Sequence, residues 1–190
     1  MKQPRAERKE ARYLNEDETR MLIRLLNREE PKWRVVTLLL LTTGLRRGEL
    51  MGLEWSDIDI KNMTVSVLRA SQYIPKHGII TTPPKTKESK RVFHISENEI
   101  KILNNYRVWW ESEKAKRHWG RANRLFLQDN GKPMHPDSPT DWLRKFCEKH
   151  DFKHFSPHNL RHTHISLSIA LGISIREVAE RVGHSRTSTI

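Results

Sequence analysis

The apolar residues of this 190-residue chain change period twice, and that change limits its fold more than any other feature. Up to about residue 55 they recur at helical spacing. Asn15 followed by Glu16, Asp17 and Glu18 is a helix-capping signal, and Met21, Leu22, Leu25 and Leu26 follow it. A second helix is expected over 33–43, closed by Gly44, and a third over 47–55. From residue 63 the texture alternates and is β-branched. Met63-Thr64-Val65-Ser66-Val67-Leu68, Ile79-Ile80-Thr81 after the His77-Gly78 turn, and Arg91-Val92-Phe93-His94-Ile95 each predict a strand. These three pieces together predict one small antiparallel sheet with basic connections.

Helical spacing returns after Ser96, a candidate N-cap, and runs to about residue 118. Leu125-Phe126-Leu127 reads as a short extended piece, and Pro133, Pro136 and Pro139 mark a loop. A helix is expected over 140–149. Pro157 then opens another that runs to about residue 171, and Gly172 stops it. Ser174 caps a last helix that ends near Gly183. The fold class is therefore α+β, mainly α-helical with a small antiparallel three-stranded sheet. Residues 1–12 read as a solvated linker and 13–190 as one domain.

Lys and Arg number 35 against 23 Asp and Glu, a formal net charge of +12, which points to a polyanionic partner and first of all to nucleic acid. A single cysteine, Cys147, excludes a disulfide framework and a Cys-rich zinc site, and favours a reducing, cytoplasmic setting. The longest apolar run, Val35 to Leu41, is far too short to span a bilayer, so no membrane partner is expected.

Four separated pieces could carry chemistry. In Thr43-Gly44-Leu45-Arg46-Arg47-Gly48-Glu49-Leu50, an arginine stands beside a helix N-terminus, an arrangement that suits a phosphate, and Glu49 could hold it. Alone, a surface salt bridge explains that piece more simply. Pro84-Lys85-Thr86-Lys87-Glu88-Ser89-Lys90-Arg91 is either a solvated charged turn or a hairpin tip reaching into a DNA groove. In Ser156-Pro157-His158-Asn159-Leu160-Arg161-His162, His158 and Arg161 share a helix face, so one group could move a proton while the other binds oxygens. The fourth piece is Arg181-Val182-Gly183-His184-Ser185. His150, His154, His158 and His162 recur every four residues, but Pro157 breaks a continuous helical face and no HExxH pattern occurs, so no metal is expected. Most of the tryptophans fit helical core patterns better than base stacking.

Together the four pieces resemble the catalytic domain of tyrosine recombinases, the phage and transposon integrase family. The first resembles its TGLRxGEL box, the third its HxLRH box, the fourth the following GH element, and the Lys-Thr-Lys loop its β-hairpin lysine. The resemblance covers about residues 12–190 and implies the tyrosine recombinase catalytic-domain fold. It implies that Arg46 and Arg161 clamp the scissile phosphate and that His158 transfers a proton. Lys85, with Lys87 as the alternative, would protonate the leaving 5′ oxygen. His184 would hydrogen-bond the phosphate and Glu49 would support the site, while Arg47 receives no role. Lys87, Lys90 and Arg91 are expected to contact DNA. No cofactor is implied, because two fixed guanidiniums can carry the charge that gathers on the phosphate.

In that family the nucleophilic tyrosine follows the GH element by about nine residues, beyond Ile190. Tyr13, Tyr73 and Tyr106 all lie elsewhere. The expectation is a fragment that binds double-stranded DNA without cleaving it, monomeric alone and tetrameric on DNA as the full-length integrase. Two other readings remain open. One is a non-catalytic regulator using residues 171–185 as a helix-turn-helix. The other is a type IB topoisomerase. RNA binding is more distant, with no RNA-module signature.

Overall fold

A computed structural model describes residues 13–83 and 90–183. In chain order the elements are α1 (Glu16–Leu26), α2 (Pro31–Thr43), α3 (Arg47–Gly52), a 3-10 turn (Trp55–Asp57), β1 (Ile58–Asp59), β2 (Thr64–Val67), β3 (Ala70–Ile74), β4 (Gly78–Thr82), β5 (Arg91–His94), α4 (Glu97–Arg117), α5 (Ser138–Lys149), α6 (Pro157–Ala170) and α7 (Ile175–Val182).

The centre is α2. Every residue from Val35 to Leu41 is buried, so this helix has no polar face to give to water, and α1, α3, α4, α5 and α6 pack around it. Pro31 occupies its first turn, so it begins two residues before the expected start. Four helices start with a reciprocal capping box. Asn15 with Glu18, Ser96 with Glu99, Ser156 with Asn159 and Ser174 with Glu177 each satisfy two backbone donors that the first turn leaves unpaired. Along α4, Glu99, Leu103, Tyr106 and Trp110 form the buried stripe. Trp55 lies on it, 6.0 Å from Tyr106 and 5.7 Å from Trp110 between ring centroids. Trp33 and Trp142 stack at 5.3 Å. These rings serve packing, as their helical spacing implied.

Two elements differ from expectation. Helix α3 stops at Gly52 instead of reaching Trp55, because the chain pairs with a distant segment there. Leu125 donates to the Leu53 carbonyl at 3.1 Å and Trp55 donates to Asn123 at 2.9 Å. The sheet is three-stranded and antiparallel in the order β1-β2-β5, with Val65 opposite Phe93. The Ile79-Ile80-Thr81 piece is not in it. That piece belongs to β4, which forms a separate hairpin with β3, Tyr73 opposite Ile79. The residues of β3, Ala-Ser-Gln-Tyr-Ile, carry no alternation. They form a strand because β4 pairs with one edge and α3 packs alongside. Gly48 permits that approach, since a Cβ there would come 2.8 Å from the Ser71 carbonyl oxygen.

The last layer is the α6–α7 pair, joined by the buried trio Ile165, Val178 and Val182. Leu14, wholly buried, ties the start of the described chain to α6 through its N–H, which donates to Thr163 Oγ1 at 2.9 Å. Among the described residues no helix is long and apolar enough to cross a membrane.

Candidate active site

Three chain segments converge behind α2. The first is the α2–α3 corner, where Gly44 ends α2 at φ +63 and Arg46 stands as the N-cap of α3. The second is the start of α6, where Ser156 and Pro157 set the first turn so that His158 and Arg161 follow on one face. The third is the C-terminal end of α7. Arg46, Arg47, Gly48, Thr140, His158 and Arg161 line one open concavity of about 550 Å³.

Glu49 organises the corner. Only 5% of its side chain is exposed. It accepts from the Arg46 backbone N–H at 2.9 Å and from Arg46 Nη1 at 2.9 Å. It also accepts from Arg91 Nη1 at 3.2 Å and Nη2 at 2.9 Å. Burial alone would raise its carboxyl, but the hydrogen bond and charge of Arg91, then the hydrogen bonds from Arg46, hold it below the usual carboxylate range. It is therefore ionised at neutral pH.

The α7 C-terminus offers three successive backbone carbonyls, and each accepts from a different guanidinium. Arg91 Nε donates to Arg181 at 2.7 Å, Arg161 Nη2 to Val182 at 2.8 Å and Arg46 Nη2 to Gly183 at 3.0 Å. A helix leaves its last carbonyls unpaired and carries partial negative charge there, so cations are held without being cancelled. Arg161 Nη1 reaches back to the Gly44 carbonyl at 2.5 Å. Burial and the neighbouring charge of Arg46 push the Arg161 guanidinium down to about 10, with Arg91 adding to that and Glu49 opposing it. It remains a cation at pH 7.

Two more side chains complete the surroundings. His158 is exposed, and its Nε2 lies 2.9 Å from His162 Nε2. Burial, then the charges of His158 and Arg161, lower the His162 imidazole. Helix α6 also carries His164, buried beneath the corner, which sequence reasoning missed. It falls three residues after Arg161, a spacing that signals a shared helix face.

The sequence-predicted residues thus divide. Arg46, His158 and Arg161 share the concavity, with Glu49 behind them. Arg47 also lines the concavity, with its guanidinium held by Thr140 Oγ1 at 2.8 Å and Asp137 at 2.6 Å. Lys90 is exposed. Arg91 differs from expectation. Instead of offering a cation to DNA, its side chain is 7% exposed and both ends of its fork are taken by Glu49. Lys85, Lys87 and His184 lie outside the described residues. His150 pairs with Glu29 at 2.9 Å, far in role from a ligand set with His158 and His162. Tyr106 is buried with its hydroxyl on the Leu125 carbonyl at 2.8 Å, and the Tyr73 ring lies against His135 at a 45° tilt. Neither lines the concavity. The arginines bond backbone carbonyls at the C-terminal end of α7, while residues 171–177 at its N-terminal side are exposed.

Two converging guanidiniums, with an imidazole on the same rim and a carboxylate behind, make a cationic concavity whose donors suit an anionic oxygen group. The chain belongs to the phage integrase family, which it matches over residues 12–190. It is 27% identical to the ICEBs1 integrase of Bacillus subtilis (strain 168), over 96% of this chain and 50% of that protein. It is 30% identical to a tyrosine recombinase of Thermosipho africanus (strain TCF52B), over 100% of this chain and 59% of that protein. Its fold superposes on the Tn1549 transposon integrase, solved in complex with a circular intermediate DNA. The TM-score is 0.83 at 22% identity, over 96% of this chain and 61% of that one. The XerA recombinase gives 0.76 at 23% identity, over 99% and 60%. The fold is that of the tyrosine recombinase catalytic domain. The chain spans about half the length of the relatives it matches.

Proposed function

We propose that this chain carries the phosphate-activating site of a site-specific DNA recombinase, an integrase acting on double-stranded DNA. The observation that carries the reading is the convergence of Arg46, Arg161 and His158 on one concavity, with both guanidiniums anchored by Glu49 or by backbone carbonyls. As a nucleophile attacks the phosphorus, negative charge grows on the non-bridging oxygens. Cations already fixed in place stabilise that charge without reorganising.

In this reading a tyrosine oxygen attacks, a 3′-phosphotyrosine bond forms and the bond from phosphorus to the 5′ oxygen breaks. The leaving oxygen takes its proton from Lys85, or from Lys87 in its place. His158 handles the proton of the attacking group and His184 hydrogen-bonds the phosphate. The phosphotyrosine conserves the energy of the broken bond, so strands can exchange without a nucleotide cofactor. Tyr13, Tyr73 and Tyr106 are not assigned the attack, which this reading gives to a tyrosine outside residues 1–190. The integrase would work in the cytoplasm as a tetramer on DNA, and the isolated chain would be a monomer.

The test extends the chain by about twenty of its native downstream codons and offers it a nicked duplex that traps cleavage, a proximity-driven covalent step. A covalent protein–DNA band on a denaturing gel is the expected result, lost in Arg161→Ala. A native extension containing no tyrosine would overturn the recombinase reading in favour of a DNA-binding regulator.

A further inference from the structure

Arg91 has a geometry that DNA contact does not explain. It comes from β5, 42 residues from Glu49 in sequence, and meets both carboxylate oxygens of that residue. Its Nε is spent on the Arg181 carbonyl at 2.7 Å. Its side chain is 7% exposed, so almost none of it faces a ligand in the concavity.

A carboxylate that orients a cation also cancels it. Glu49 holds Arg46 at 2.9 Å, and with nothing else present an approaching phosphate would meet a neutral pair there. Arg161 would be the remaining cation of the group. Arg91 changes that sum. Three guanidiniums against one carboxylate leave two positive charges, the number carried by two clamping arginines with no carboxylate at all. The bidentate fork also leaves Glu49 no rotational freedom, so its hold on Arg46 has a fixed direction.

We propose that Arg91 is a positioning residue. It neutralises and locks Glu49, so that Arg46 is both oriented and left with its full charge toward a phosphate. The proposal rests on the phosphate-site reading above and assigns no contact between Arg91 and the phosphate.

The test uses the 190-residue chain labelled with ¹⁵N and titrated with inorganic phosphate. The readout is the Nε–H resonances of Arg46 and Arg161, assigned with Arg46→Lys and Arg161→Lys. Arg91→Gln is expected to bind phosphate about tenfold more weakly, since one unit of nearby charge is lost at partial burial. The double variant Glu49→Gln/Arg91→Gln removes the carboxylate together with its counter-charge but also loses the ion pair that orients Arg46, so it is expected to recover part of the loss and bind about threefold more weakly than the parent. Arg91→Lys, which keeps the charge and loses the fork, is expected within about threefold.

A purely structural Arg91 predicts the opposite order, with the double variant as weak as Arg91→Gln or weaker. That order, or Arg91→Gln binding as the parent does, overturns the proposal. If Arg91→Gln does not fold, Arg91→Lys and the double variant decide alone, and either one falling tenfold below the parent overturns it. Parent guanidiniums that do not respond to phosphate overturn the phosphate-site reading itself.

Discussion

At the scale of single residues, the buried His164 shows how the site dictates protonation. Its side chain lies under the α2–α3 corner, with Nε2 buried and without a hydrogen-bond partner. Burial, then the charge of Arg181, with Arg161 adding to it, pushes the imidazole down to about 4, while a hydrogen bond with the Leu41 backbone opposes the shift. The ring is therefore neutral in the folded chain. Unfolding restores the ordinary value of 6.5, so between pH 6.5 and about 4 the unfolded state binds the extra proton. Stability from this group is complete above pH 6.5 and declines as pH falls through that window. Over the whole window the loss is about 3 kcal/mol, and about 2 kcal/mol of it falls between pH 7.5 and pH 5. Urea unfolding at those two pH values should show the parent losing about 2 kcal/mol more than His164→Leu. Equal losses in the two proteins would contradict a neutral buried imidazole. This residue was not legible as part of the site, because its importance comes from arginines that the fold brings to it. Arg46, His158 and Arg161 were legible because each sits in a short local motif at a helix start.

At the scale of elements, the α2–α3 corner is where packing and chemistry meet. Gly44 turns the chain at φ +63, and a Cβ added there would lie 2.6 Å from His164 Cδ2 and 2.9 Å from Val182 Cγ1. Gly172, between α6 and α7, has φ +85 but nothing within 4 Å of the same hypothetical atom. The two positions separate backbone strain from crowding. Gly172→Ala should cost about 1 kcal/mol, the left-handed penalty alone. Gly44→Ala should cost about 3 kcal/mol, because the ring beneath it and the α7 end must also shift. Thermal or urea denaturation of the two variants measures the difference, and equal costs would mean that the corner is loosely packed.

The same scale explains which elements the sequence revealed. The helices were legible because capping boxes and apolar spacing are local signals, as at Asn15, Ser96, Ser156 and Ser174. Strand β2 was legible from its alternation. Strands β1 and β3 were not, because two residues carry no period and the polar β3 is a strand only by virtue of α3 and β4 beside it. The role of Arg91 was hidden for the same reason, since its ion pair with Glu49 joins β5 to α3 across 42 residues.

At the scale of the whole molecule, the +12 charge has to be separated into cations that the fold consumes and cations that DNA can use. Arg91 and Arg161 are consumed in part by Glu49 and by backbone carbonyls. Arg20, Arg144 and Arg176 are each paired with an acid within one helical turn. Arg46 is different, with 44% of its side chain exposed at the concavity despite its bond to Glu49. Each cation that replaces a condensed counterion on duplex DNA steepens the salt dependence of binding by about one logarithmic unit. On the proposed reading, Arg46 and Arg161 at the concavity, together with Lys85 and Lys90, would give about four such contacts and an expected slope of roughly −4 in log affinity against log salt. Arg46→Gln should make that slope shallower by about one, while Arg20→Gln should leave it unchanged because its local pair already satisfies it. Fluorescence anisotropy with a labelled duplex from 50 to about 200 mM salt reads both. A slope that Arg46→Gln does not move would place the phosphate contacts elsewhere on the basic surface. A slope that Arg46→Gln and Arg20→Gln move equally would mean that net charge, rather than the arrangement around Glu49, governs how this chain meets DNA.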